Sequence, residues 1–148
     1  MKIYCAAPIS GKSGEDVWSY YENITAVLRN MGYEVLSPMT GKEYLRLEKH
    51  LKAEGYEGPV STAKAIYSRD IWMVEQADIV YMNLKGAERV SIGCMMELER
   101  AHSKGKHTVV VMEEGNIHEH AFVHEATDVR FGEVNQALNY LKQLIIKN

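Results

Sequence analysis

Short apolar runs alternate along the chain with stretches in which apolar residues recur at helical spacing. The run at residues 2–7 ends at Pro8 and predicts a buried first strand, and the small, polar residues 8–14 predict a loop. Val17, Tyr21, Ile24, Leu28 and Met31 fall on one helical stripe, so a helix is expected over residues 15–31, with Gly32 placed to stop it. Residues 34–37, just before Pro38, predict a short second strand, and the Lys- and Glu-rich residues 41–58 a charged, mostly helical excursion. Ser61 and Thr62 are placed to cap a helix running to Gln76, and residues 78–84 form the clearest buried strand. A loop, a helix over residues 91–104 closed by Gly105, a strand over 107–112 and an amphipathic last helix over 132–146 complete the expected order.

Strands that alternate with helices at this spacing imply right-handed crossovers and a parallel sheet covered on both faces. The expected fold is α/β: one doubly wound, flavodoxin-like or Rossmann-like domain spanning residues 1–148. Ligands of such sheets sit beyond the carboxyl ends of the strands, so residues 8–14, the segment after Leu84 and the segment after Met112 are expected to converge.

Composition narrows the function. A chain of 148 residues with 46% hydrophobic content has material for one core, and a net charge of -3 lacks the positive field that a nucleic-acid polymer requires. Cys5 and Cys94 fall in a buried strand and in the first turn of a helix, which reads as two free thiols in a reducing compartment. With no apolar run of membrane-spanning length, a cytoplasmic location away from any membrane is expected.

Several residues carry candidate chemistry. Ser91 opens a helix whose first turn offers free N–H groups to an anion, and Gly93 shares a face with Glu97, where a missing side chain lets a ligand approach the carboxylate. The plainer reading makes Ser91 an N-cap and Glu97 a solvated helix residue, since helical glutamates are seldom catalytic. Asp70 falls on a stripe with Ile66, Met73 and Ala77, which puts a carboxylate among core-facing residues; an ion pair, with Arg69 or another base, would account for it equally well. Asp78 reads as structural. The loop containing Ile9, Ser10 and Gly11 resembles a phosphate-cradling turn but lacks the Walker A pattern, and such loops are often ordinary turns. His118, His120 and His124 invite a metal, yet no zinc-ligand spacing accompanies them, and His120 is equally placed to donate to a phosphate. No metal and no cofactor are expected.

Taken together, Ile3-Tyr4 with the Ser10-Gly11 loop, Arg69-Asp70-Ile71 ahead of residues 76–80, Ser91 through Glu97, and Gly105-Lys106 resemble the nucleoside 2-deoxyribosyltransferase superfamily. The resemblance covers nearly the whole chain and lies nearest the branch of nucleoside 5′-monophosphate N-glycosidases. It implies that Glu97 is the nucleophile, that Tyr4 orients it, and that Asp70 handles protons at the nucleobase. Transferases of the family carry an acidic residue where this chain has Ser91, whereas the monophosphate hydrolases carry serine. A carboxylate there would repel a phosphate dianion that Ser91 and the helix N–H groups attract.

The same resemblance places Ile9, Ser10 and Gly11 on the phosphate. An arginine usual in that loop is replaced by Ser10, with Lys12 two positions on. It also implies a homodimer in which His120 completes the neighbouring subunit's pocket. The expected activity is hydrolysis of a (deoxy)nucleoside 5′-monophosphate to free base and sugar 5-phosphate. A base-exchanging deoxyribosyltransferase is the nearest alternative, a non-catalytic nucleotide-binding module the alternative of another class, and a metal-binding protein built on the three histidines the last.

Overall fold

Each strand of the structure, a computed structural model that describes residues 1–145, is too short and too apolar to stand alone, and five of them pair into one sheet. β1 (Lys2–Ala6), β2 (Glu34–Leu36), β3 (Ile79–Asn83), β4 (His107–Val111) and β5 (Val129–Phe131) lie in the order β2-β1-β3-β4-β5 with every pair parallel. The helices are α1 (Gly14–Met31), α2 (Ala63–Gln76), α3 (Ile92–Ser103), α4 (Ala121–Glu125) and α5 (Val134–Leu144).

Strand side chains alternate between two cores, as the pleat requires. Ile3, Cys5, Ile79, Tyr81, Val109 and Val111 pack beneath α1 and α5. Tyr4, Ala6, Val80, Met82 and Val110 pack beneath α2, α3 and α4. This is the doubly wound, flavodoxin-like α/β arrangement expected from the sequence, and its order reverses beside β1, where α/β sheets place ligands.

The caps account for several boundaries. Ser13 Oγ accepts from Asp16 N at 3.1 Å, so α1 starts one residue earlier than its apolar stripe suggests, and Gly32 at φ 106° ends it. Thr62 Oγ1 accepts from Ala65 N to open α2, and Asp78 accepts from the backbone N–H of Lys2 at 2.7 Å, the structural role its position suggested. Cys5 and Cys94 are buried free thiols.

One expectation needs correction. Residues 41–58 hold one 3-10 turn, Glu43–Leu47, rather than a mostly helical excursion, because Leu45 and Leu51 are the only buried apolar side chains there and their spacing matches no helical face. The segment is instead a strap bonded to the loop after β1: Gly11 N donates to Leu51 O at 2.8 Å, Leu51 N to Lys12 O at 2.8 Å, and Gly14 N to Glu48 O at 2.7 Å. A Cβ on Gly14 would stand 2.0 Å from Leu45 O, so only glycine fits beneath the strap. The short elements α4 and β5 were not expected, since neither carries an apolar run. The extension of the last helix to Ile146 lies outside the described residues. No described helix is long and apolar enough to cross a membrane.

Candidate active site

The parallel pairing of β1 with β3, and the packing of α2 and α3 over them, bring three distant residues to one place. Tyr4 points from the middle of β1 into the core under α2 and α3 and is wholly buried. Its phenol donates to Glu97 Oε1, on the second turn of α3, at 2.8 Å. Burial, reinforced by the neighbouring Glu97 and Asp70 charges, raises the Tyr4 phenol well above its ordinary value, so it remains a donor at any working pH. Burial likewise pushes the Glu97 carboxyl up to about 8; the Tyr4 hydrogen bond and Lys42 oppose the shift, and Asp70 adds to it.

Asp70 extends from α2 into the same site and is 8% exposed. Desolvation raises its carboxyl, against the pull of Lys42 and Arg69. Lys42 Nζ lies 4.0 Å from Asp70 Oδ2, and Arg69 Nε lies 3.6 Å from Asp70 Oδ1, too long for a hydrogen bond. Both Asp70 Oδ1 and Arg69 Nε are buried without a hydrogen-bond partner. The basic neighbours foreseen for Asp70 are therefore present, but they leave one carboxyl oxygen free, which a purely structural ion pair would have satisfied. Arg69 spends its outer nitrogens on Pro38 O at 2.7 Å and Thr40 O at 2.9 Å, which pins the turn carrying Lys42. The sequence reading missed Lys42, since a lysine in a Lys-rich strap carries no signal of its 4% exposure.

Ser91 is the N-cap of α3, and its hydroxyl accepts from Cys94 N at 3.3 Å. Its own backbone N–H donates to His118 Nε2 at 2.9 Å, while His118 Nδ1 and Asn116 Oδ1 are 2.9 Å apart. Accepting at Nε2 fixes the proton of the neutral ring on Nδ1. Burial lowers the His118 ring below its ordinary value, which favours that neutral form. Asn116 Nδ2 donates to Leu84 O at 2.8 Å, and Gly86 N donates to Glu113 Oε1 at 3.0 Å. The loops after β3 and β4 thus meet, as expected at the carboxyl edge of the sheet.

The loop after β1 joins them. Gly11, at φ 83°, lies so close to Arg89 that a Cβ there would be 3.2 Å from the guanidinium carbon. Arg89 forms no ion pair among the described residues and is exposed. It comes from the loop before α3, so the loop holding Ile9, Ser10 and Gly11 has an arginine beside it although none stands within it. Ile9 is partly buried, Ser10 and Gly11 exposed. At Gly93 nothing lies within 4 Å of the position a Cβ would take, which leaves open space beside the first turn of α3.

The three histidines do separate work. His118 is 2% exposed behind Ser91, His124 Nε2 sits 2.8 Å from Glu119 Oε2, and His120 caps α4 by accepting from Phe122 N at 3.2 Å. Among the described residues, no three His, Cys, Asp or Glu side chains converge as a metal would need. His120 is exposed on the surface beside Phe122, outside the Tyr4–Glu97–Asp70 cluster.

No curated protein matches the sequence significantly. Solved structures that share the fold include the following two. A 2-deoxyribosyltransferase from the psychrotolerant bacterium Bacillus psychrosaccharolyticus superposes with a TM-score of 0.66 at 20% identity, covering 95% of this chain and 92% of its own. The CMP N-glycosidase BcmB of Clostridium botulinum superposes with a TM-score of 0.61 at 15% identity, covering 98% of this chain and all of its own. The family model for nucleoside 2-deoxyribosyltransferases matches residues 3–139, a span that runs from β1 into α5 and takes in Tyr4, Asp70 and Glu97. On that match the chain belongs to the nucleoside 2-deoxyribosyltransferase family.

Proposed function

We propose that the protein hydrolyses the N-glycosidic bond of a (deoxy)nucleoside 5′-monophosphate, with Glu97 as nucleophile. The observation that carries this reading is the Tyr4–Glu97 hydrogen bond beside a buried Asp70 whose Oδ1 lacks a hydrogen-bond partner. A Glu97 oxygen bonds to C1′ as the C1′–N bond breaks and its electron pair leaves with the base, which takes a proton from Asp70. Water then attacks C1′ of the glycosyl ester, giving one proton to the Asp70 carboxylate and restoring Glu97. The products are free base and sugar 5-phosphate, with retained configuration, as in retaining glycosidases.

Phosphate recognition falls to the edge built by Ser91, the N–H groups that begin α3, the loop of Ile9, Ser10 and Gly11, and the Arg89 guanidinium. A hydroxyl at position 91 favours a dianion there, which supports hydrolysis of a monophosphate over base exchange on a nucleoside. We further propose that residues 1–148 act as one domain in a cytoplasmic homodimer. Phe122, 81% exposed beside His120, and Ile92, 74% exposed at the start of α3, are apolar side chains suited to contact with a second copy that brings His120 to its neighbour's pocket.

The test is incubation with a panel of ribo- and deoxyribonucleoside monophosphates and the matching nucleosides, with and without a labelled acceptor base. Free base from monophosphates, little from nucleosides and no label incorporation are expected. Label exchange into nucleoside supports the transferase, and tight binding without base release supports a nucleotide-binding module.

A further inference from the structure

Lys42 is an ammonium group with almost no access to water and an incomplete set of partners. It is 4% exposed, its nearest carboxylate oxygen, Asp70 Oδ2, is 4.0 Å away, and Lys42 forms no other ion pair among the described residues. Burying a cation is costly unless it is closely paired. A 4.0 Å contact is a loose pairing, yet the fold works to hold the group there. Lys42 N donates to Met39 O at 3.0 Å, Gly41 turns the chain at φ 76°, and Arg69 clasps the carbonyls of Pro38 and Thr40. Among the described residues, the charges that act on it are those of Asp70, Arg69 and Glu97.

Resting on the N-glycosidase reading, we infer that Lys42 is a further catalytic residue whose ammonium stabilises negative charge on the leaving base, and that its position favours pyrimidine nucleotides. When the C1′–N1 bond of a pyrimidine breaks, the electron pair enters the ring and collects on the 2-carbonyl oxygen, next to the scissile nitrogen and hence near Glu97. The Lys42 ammonium lies 4.0 Å from Asp70 Oδ2 and within the electrostatic reach of Glu97, where a preorganised cation is most effective on such an oxygen. It keeps its protons throughout; the proton taken up by the base comes from Asp70. A purine leaves differently, because protonation at N7, across the ring system, already relieves the charge. Asp70 alone serves that route, so the cation matters less for purines.

The experiment compares wild type, Lys42→Met and Lys42→Arg on pyrimidine monophosphates, purine monophosphates and the 4-nitrophenyl glycoside 5-phosphate of the same sugar. Nitrophenolate needs neither a proton nor a cation to depart, so its release also reports that the variant is folded. Lys42→Met is expected to lower kcat/KM on pyrimidine substrates ~100-fold or more, the usual effect of removing one charge-stabilising donor. The nitrophenyl substrate should lose less than ~5-fold, purines should fall in between, and Lys42→Arg should recover part of the loss. Wild type should prefer pyrimidine to purine monophosphates. Equal losses on pyrimidine and nitrophenyl substrates assign Lys42 a structural role and overturn the inference, as does an unchanged pyrimidine rate or a purine preference. A wild-type protein that releases neither base nor nitrophenolate brings down the N-glycosidase reading itself, and this inference with it.

Discussion

Tyr4 and Glu97 lie 93 positions apart in sequence, and the phenol of one holds the carboxylate of the other at 2.8 Å. The contact joins the central part of the sheet to α3 across the core, so the candidate nucleophile is aimed by a rigid strand rather than by a loop. Replacing Tyr4 with Phe keeps the ring and removes the donor. Glu97 then loses the strongest influence that lowers its pKa, and its carboxyl rises beyond about 8. Steady-state assays should show turnover falling ~10- to 100-fold at neutral pH, with the largest loss at low pH. A Tyr4→Phe variant with unchanged turnover across pH would remove Tyr4 from the site's chemistry.

The pH profile depends on the leaving group. Glu97 keeps its proton up to about pH 8, and Asp70 is also raised, so the two carboxyls titrate as a pair in which one proton must be placed. Natural nucleotides need Asp70 protonated and Glu97 ionised, a state available only while the pair holds a single proton. Their kcat/KM is expected to be bell-shaped, rising through the raised Asp70 value and falling above about pH 8. A nitrophenyl glycoside phosphate needs only the Glu97 anion, so its kcat/KM should rise through about pH 8 and stay high. Identical profiles for the two substrates, read between pH 5 and 10, would contradict the division of roles.

Stability carries the same signature. The folded-state pKa of Glu97, about 8, lies above its ordinary 4.5, so the folded protein binds that proton more tightly than the unfolded chain. Its contribution is fully present below about pH 4.5 and is lost as pH rises through about 8. Glu97→Gln stays neutral and still accepts from Tyr4, so it should melt close to wild type at pH 4.5 and higher than wild type at pH 9. Partial exposure screens the effect to on the order of 2–3 kcal/mol, or roughly 4–12 °C in Tm. Melting curves that stay parallel across this range would place Glu97 in a more solvated setting than the structure gives it.

Substrate charge should be read at Ser91 and Arg89. Ser91→Asp adds a carboxylate at the start of α3, and the monophosphate should lose ~100-fold or more in kcat/KM while the nucleoside loses far less. Arg89→Ala removes an exposed guanidinium and should raise KM for monophosphates several-fold with little change in kcat. Equal effects on nucleoside and monophosphate would place the phosphate elsewhere.

Much of this was legible in the sequence, and the exceptions share a cause. The βα alternation, the caps at Ser91 and Gly32 and the core position of Asp70 are local patterns, readable from spacing and residue type. Tyr4 and Glu97 were paired only through the family resemblance, because nothing local says that residue 4 meets residue 97. Lys42 and Arg89 went unread, and His118 was read only as a candidate metal ligand, for the same reason: each owes its place to a contact made by another segment, with Asp70, Gly11 and Ser91 respectively. β5, three half-buried residues around Arg130, is a strand because β4 offers it a free edge, and its own residues do not announce it.

The central claim is that Glu97 forms a bond to the sugar, and trapping that bond tests it most directly. A 2-fluoro-arabinosyl nucleoside 5′-monophosphate slows both steps by destabilising the cationic transition state, so the ester should accumulate long enough for mass spectrometry of the digested protein. The account predicts release of base together with one fluoroglycosyl phosphate adduct, on the peptide carrying Glu97, and no adduct in Glu97→Gln. Base release with the adduct on another residue, or undiminished release by Glu97→Gln, would contradict it.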